Sequence, residues 1–226
     1  MLKKVLLLVT SVSLAVAGCS SEPEVLVGYE NPEQAVVAWF GGIDGGNPVD
    51  ASRAVHAESL ALILGIENGL DSNRIAHYLN EGVPLDVQAT YWASFAEGFV
   101  EFAARPISTL NVGASERFAA EGVEFASVPV SGGLGGESII ITRMRDDGSW
   151  EVDLIASLGD GFIQLLAIEY DELPGDEAGE RVRQAYVEIV VPSLWAAMDD
   201  GRFGDMFART ALALIDRIDA ETSELS

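Results

Sequence analysis

The sequence predicts an α+β protein: N-terminal helices packed on a four-stranded antiparallel meander, with a C-terminal helical extension on the same body. Three observations predict it. Apolar residues recur three or four apart through most of residues 31–104, the spacing of a helix with one buried face. From Ile107 the pattern changes to short apolar runs, and Asp146-Asp147-Gly148 separates two of them, which is a strong hairpin signal. Helical spacing then returns after Gly159.

The first helix begins at Asn31-Pro32-Glu33, with asparagine as N-cap and proline at the first helical position. Ala35, Val36, Trp39, Phe40 and Ile43 form its apolar face, and Asp44 to Pro48 ends it. A second helix is expected from Ala51 to Ile66, and a shorter one from Asp71 or Ser72 to Asn80, stopped by Gly82. Pro84 to Ala104 is the longest helical stretch; Trp92, Phe95, Phe99 and Phe102 share one face. Gly98 within it suits a close neighbour, and Arg105-Pro106 ends it, because the residue before proline disfavours helix.

Strands are expected at Ile107–Val112, Gly122–Val130, Ser138–Arg145 and Ser149–Ser157. Pro129 places the second at a sheet edge or a bulge. In the fourth, Trp150, Val152 and Leu154 alternate with Glu151 and Asp153, so the carboxylates are expected on a wet face. Helices follow at Phe162–Tyr170, at Glu180–Val191 running into Pro192, and at Arg202–Ala220.

The chain has 13 basic and 36 acidic residues, a formal net charge of −23, and its only lysines are Lys3 and Lys4. Nucleic acid is a poor partner for such a surface, since binding it needs clustered cations. Anionic lipid headgroups would also repel it.

The N-terminus has its own logic. Lys3 and Lys4 precede an apolar run from Val5 to Ala17, shorter than the roughly 20 residues of a spanning helix. Val16-Ala17-Gly18-Cys19 follows, and it resembles the lipobox of bacterial lipoproteins. That resemblance implies cleavage before Cys19 and lipid on its sulfur. Residues 1–18 are then a signal peptide and 19–30 an acidic tether ahead of a body in two parts, 31–157 and 158–226. The protein would be exported and held by acyl groups on Cys19 at the cell membrane, or at the outer membrane if there is one. A single buried chain anchors weakly and two or three anchor stably. Cys19 is the only cysteine, so no intrachain disulfide forms.

The helix at Pro32, the Asp44-Gly45 turn, further helices and a meander ending in Trp150-Glu-Val-Asp-Leu154 resemble the nuclear transport factor 2-like, or ketosteroid isomerase-like, cone over residues 31–157. The resemblance implies a pocket between sheet and helix, with Tyr91, Trp92, Phe95, Phe99 and His77 as candidate lining. The same aromatics would serve equally as core packing. Two functional readings follow, the first from the absence of any catalytic constellation in the sequence and the second from the resemblance. One is a non-catalytic module for a small apolar ligand or an envelope protein. The alternative is an isomerase, dehydratase or hydrolase using His77 or Asp86 in an aromatic pocket. No nucleophile elbow, phosphate-binding loop or metal-ligand spacing is present, and the sequence assigns no catalytic residue, cofactor or metal ligand.

Overall fold

A computed structural model describes residues 28–133 and 136–224; Cys19 and the expected tether up to Val27 lie outside them. The fold is α+β. Helices α1 (Pro32–Asp44), α2 (Pro48–Arg53), α3 (Ala57–Glu67), α4 (Ser72–Glu81) and α5 (Leu85–Ala103) come first. A 3-10 turn, Ile107–Thr109, leads to strands β1 (Asn111–Val112), β2 (Glu116–Ala120), β3 (Val123–Gly133), β4 (Gly136–Met144) and β5 (Trp150–Val152). The chain closes with α6 (Leu154–Ser157), α7 (Asp160–Glu172), α8 (Glu177–Ala185), a π-helical turn Tyr186–Val190, α9 (Val191–Asp199) and α10 (Gly204–Glu224). Among the described residues, no helix is long and apolar enough to cross a membrane.

Local chemistry explains several boundaries. The Asn31 side chain accepts from the Gln34 N–H at 2.9 Å, and Asp71 caps α4 through the Arg74 N–H at 3.0 Å, each satisfying an orphan donor of the first turn. The expected Ala51–Ile66 helix is two helices. Between them Val152 N–H donates to Ala54 O at 2.8 Å and His56 N–H to Val152 O at 2.9 Å, so residues 54–56 leave the helix to pair with β5.

The sheet is antiparallel, with β1, β3, β4 and β5 in order and β2 also on β3. β1 pairs with residues 130–131 of β3 and β2 with residues 123–127, so the two share one edge, interrupted at Gly113–Ser115. The sequence reading missed β2 and expected too long a strand before it. Glu121 and Gly122, both at positive φ, make the two-residue turn from β2 to β3.

β3 is an inner strand; of the two places expected for Pro129, an edge or a bulge, the structure shows the irregularity, a register shift between Val130 and Gly133. Gly113 N–H donates to Pro129 O at 2.8 Å. In a strand the N–H and C=O of one residue face the same neighbour, so the missing proline N–H also faces the interrupted edge. β4 and β5 join through the Asp146–Gly148 turn, where Asp147 accepts from the Ser149 N–H at 2.9 Å.

One continuous apolar core unites the helices before the sheet with those after it, running from Ala35 through Phe125, Trp150, Leu166 and Leu194 to Ile218. The C-terminal end is pinned by Arg202, whose guanidinium donates to Ile139 O and, at 2.8 Å, to Ala156 O.

Candidate functional site

Two places gather chemistry. The first is a cavity of about 340 Å³ between α1, α5, the 3-10 turn and the β3–β4 end of the sheet. α1 contributes Trp39 and Phe40, and α5 contributes Tyr91, Phe95, Phe99 and Phe102. The opposite wall includes Val130, Ile140 and Leu154; among the described residues, Ser138 and Ser157 are the hydroxyl side chains in the lining besides Tyr91. Among the described residues, no charged side chain lines it. Its volume and lining fall within the ordinary range of small-molecule sites.

The aromatics form a connected wall. The ring centroids of Trp39 and Phe95 are 5.9 Å apart, those of Trp39 and Trp92 6.3 Å, and those of Tyr91 and Phe95 6.3 Å. Burial pushes the Tyr91 hydroxyl well above its ordinary range, helped by the Glu67 carboxylate, so it stays neutral. Ser157 is engaged with the backbone, accepting from Ile141 N–H at 3.0 Å. Trp39 is 4 % exposed, and its indole N–H has no hydrogen-bond partner among the described residues.

The sequence reading named Tyr91, Phe95 and Phe99, and these three line the cavity. Two other expectations need correction. Trp92 is buried behind the wall and outside the lining, its indole N–H donating to Ser52 Oγ at 2.8 Å. His77 is exposed on α4 and does not line the cavity. The i+3/i+4 face of α4 is taken by Ile75, Ala76 and Leu79, which leaves His77 pointing to water. Asp86, the carboxylate named for the enzymatic alternative, is exposed and outside the cavity too. The sequence reading missed Trp39 as a wall residue, because it fitted the apolar face of α1 equally well.

The second place is a buried polar cluster that joins α3, β4, β5 and α9. His56 caps α3: its Nδ1 accepts from the Ser59 N–H at 3.3 Å and lies 2.7 Å from Ser59 Oγ. An Arg143 guanidinium nitrogen is 3.5 Å from the same Nδ1. With donors converging on Nδ1, the ring proton sits on Nε2, 3.9 Å from Glu151 Oε1. Burial, then Arg143 and Arg145, push the His56 pKa well below its usual range, so the ring is neutral.

Glu151 accepts from Arg145 Nε at 2.5 Å; burial still raises its pKa, with the Arg145 charge opposing. Asp153 is fully buried. It caps α6 through the Ala156 N–H at 2.9 Å and accepts from Ser193 Oγ at 2.6 Å. Its pKa is also raised by burial, against the pull of Arg143 and its donors. The expected wet face of the fourth strand is therefore dry. Tyr29 and residues 54–56 pair with β5 from its open side, and Ser193 reaches it from α9.

Ser59, His56 and Glu151 lie in sequence like a hydroxyl–imidazole–carboxylate relay. Ser59 is completely buried and does not line the cavity. Within the cluster the buried polar groups satisfy one another.

Among the described residues, no group of three or more His, Cys, Asp or Glu side chains is placed to hold a metal ion. Comparison with protein-family models, with curated proteins and with solved structures yields no match.

Proposed function

We propose that the chain is a lipid-anchored cell-envelope module that holds a small apolar ligand in the cavity between α1, α5 and the sheet. The observation that carries this reading is the cavity itself: about 340 Å³, walled by aromatic and aliphatic side chains, with no charged residue in the lining among the described residues. Filling it would remove apolar surface from water at about 25 cal/mol per Å². Phe102, 70 % exposed at the end of α5, places further apolar surface at the cavity margin.

The anchor enters the proposal through Cys19 and the leader. Acyl groups on Cys19, and not the acidic surface, would hold the protein at the membrane. The described chain enters the body at Tyr29, which bridges Trp150 next to Met144. That is the far end of β4 from Gly136 and Ser138, the β4 residues at the cavity.

The experiment is a titration of the mature protein with N-phenyl-1-naphthylamine, a neutral probe that fluoresces in apolar surroundings. Saturable one-to-one binding that is lost in Phe99→Arg, with the variant still folded by circular dichroism, supports the reading. Unsaturable binding, or binding untouched by the substitution, overturns it. For the anchor, Cys19→Ser should block processing and stable membrane attachment; maturation and retention like the parent's would end the lipoprotein proposal.

A further inference from the structure

The apolar cavity has a neighbour along α5. A second pocket, of about 410 Å³, lies between the C-terminal end of α3 and the first half of α5. Leu64, Glu67 and Asn68 line it from α3, and Asp86, Val87, Thr90 and Ser94 from α5. Tyr91 belongs to both linings, and among the described residues it is the one side chain they share.

Helix geometry gives the reason. Val87, Tyr91 and Phe95 follow one another four apart, so they form one row along the helix. Val87 lines the pocket, Phe95 lines the cavity, and Tyr91 stands between them. The two spaces therefore lie end to end along α5, with Tyr91 at the junction. On the cavity side the lining runs from Tyr91 to Phe102, roughly 16 Å of helix at 1.5 Å per residue. A cavity of about 340 Å³ drawn out over that length is narrow.

The Tyr91 side chain is braced. Its ring meets that of Trp92 edge to face with centroids 4.8 Å apart, and lies 6.3 Å from that of Phe95. Trp92 is buried and held in turn by its hydrogen bond to Ser52 Oγ, at 2.8 Å. The Tyr91 hydroxyl senses the Glu67 carboxylate, which puts its polar end toward the pocket. The junction also divides the chemistry, since Glu67 and Asp86 line the pocket while the cavity lining has no charged side chain among the described residues.

We propose that Tyr91 is the end wall of the apolar cavity and sets the length of its ligand, a neutral, straight aliphatic chain. This rests on the cavity being a ligand site, and adds to it a ligand class and a specificity-determining residue. A narrow, elongated, apolar space suits an extended chain. An ionised end buried in it has no counter-ion, and an anionic end that passed the wall would meet two carboxylates. Each methylene buried in the cavity raises affinity about fourfold, and one that finds no space adds nothing. Removing the ring joins the cavity to the pocket and moves the limit to longer chains.

The test displaces N-phenyl-1-naphthylamine from the mature protein with straight-chain primary alcohols from 1-pentanol to 1-dodecanol. In the parent, affinity should climb with chain length and then level off. Tyr91→Phe keeps the ring and should keep that limit. In Tyr91→Ala the first alcohol past the parent's limit should bind at least about fourfold more tightly than it does to the parent. Tyr91→Leu, which fills more of the site, should move the limit the same way and decides the matter should Tyr91→Ala not fold, as judged by circular dichroism.

A limit at the same alcohol in every folded variant, or a climb through the whole series in the parent, overturns the inference and leaves the cavity as a ligand site. A probe that binds but that no alcohol displaces also leaves the site and overturns the aliphatic class. Failure of the probe itself to bind the parent counts against the ligand site and removes the inference with it.

Discussion

Nε2 of His56 lies 3.9 Å from Oε1 of Glu151, although one side chain opens a helix before the sheet and the other belongs to its last strand. The imidazole is neutral because its Nδ1 accepts from Ser59 and because burial, Arg143 and Arg145 all disfavour a second proton.

That relationship makes stability depend on pH with a definite sign. The folded pKa of His56 is below the ordinary 6.5, so its contribution is complete above about pH 6.5 and is lost as pH falls toward the folded value. The loss is at most about 1.4 kcal/mol per pH unit. Glu151 and Asp153 carry the opposite sign: their folded pKa values are raised, so their share is greatest when they are protonated and is lost as pH rises. His56→Asn keeps an N-cap acceptor and removes the titration. Urea unfolding between about pH 7.5 and 5.5 should show the parent losing stability relative to this variant; parallel curves would refute the assignment.

Adjacent glycines in α1 should respond oppositely to alanine. A Cβ on Gly42 would stand 2.3 Å from Ala51 N, inside the contact with α2, whereas one on Gly41 meets nothing within 4 Å. Gly41→Ala should stabilise the protein by up to about 1 kcal/mol through helix propensity. Gly42→Ala should destabilise it by about 1–3 kcal/mol as the two helices part. Thermal melts of both variants decide it, and a stabilised Gly42→Ala would show that the contact gives way.

Gly98 was expected to admit a close neighbour, but it faces open space on α5. Gly98→Ala should therefore stabilise α5 by about 0.5–1 kcal/mol. The helix has only Trp92 and Ala103 buried, so slowed amide exchange should be concentrated there. Unchanged exchange would mean that docking, and not helix propensity, limits its opening.

Arg202 satisfies two carbonyls at once, those of Ile139 and Ala156. Arg202→Ala should cost about 2–3 kcal/mol through the loss of charge-assisted hydrogen bonds, and Arg202→Lys should recover only part of this because an ammonium lacks the planar fork. Denaturant titration gives the comparison; full recovery by lysine would reduce the arginine to a simple charge.

The sequence by itself determined the elements whose signals are local. Asn31-Pro32 starts α1 because a side-chain acceptor and a fixed φ act within one turn. Asp146 to Gly148 turns β4 into β5 because Asp147 bonds its own neighbour and Gly148 takes positive φ. The shared face of Phe95, Phe99 and Phe102 follows from helical spacing alone, and it supplies one wall of the cavity; Trp92, read onto the same face, lies outside the lining.

Tertiary structure decided the rest. Alternation along β5 marks a wet face only while one side of a strand meets water, and here Tyr29, His56 and Ser193 arrive from distant segments to enclose Glu151 and Asp153. Pro129 lies in an inner strand because a gap at Gly113–Ser115 removes the partner that its absent N–H would need. Spacing puts Trp39 and Trp92 each on an apolar helix face, and only packing brings Ser52 to the indole N–H of Trp92 while that of Trp39 has no partner among the described residues. Spacing along the chain reports what one element does with its own neighbours; which polar groups find each other is set by where the elements pack.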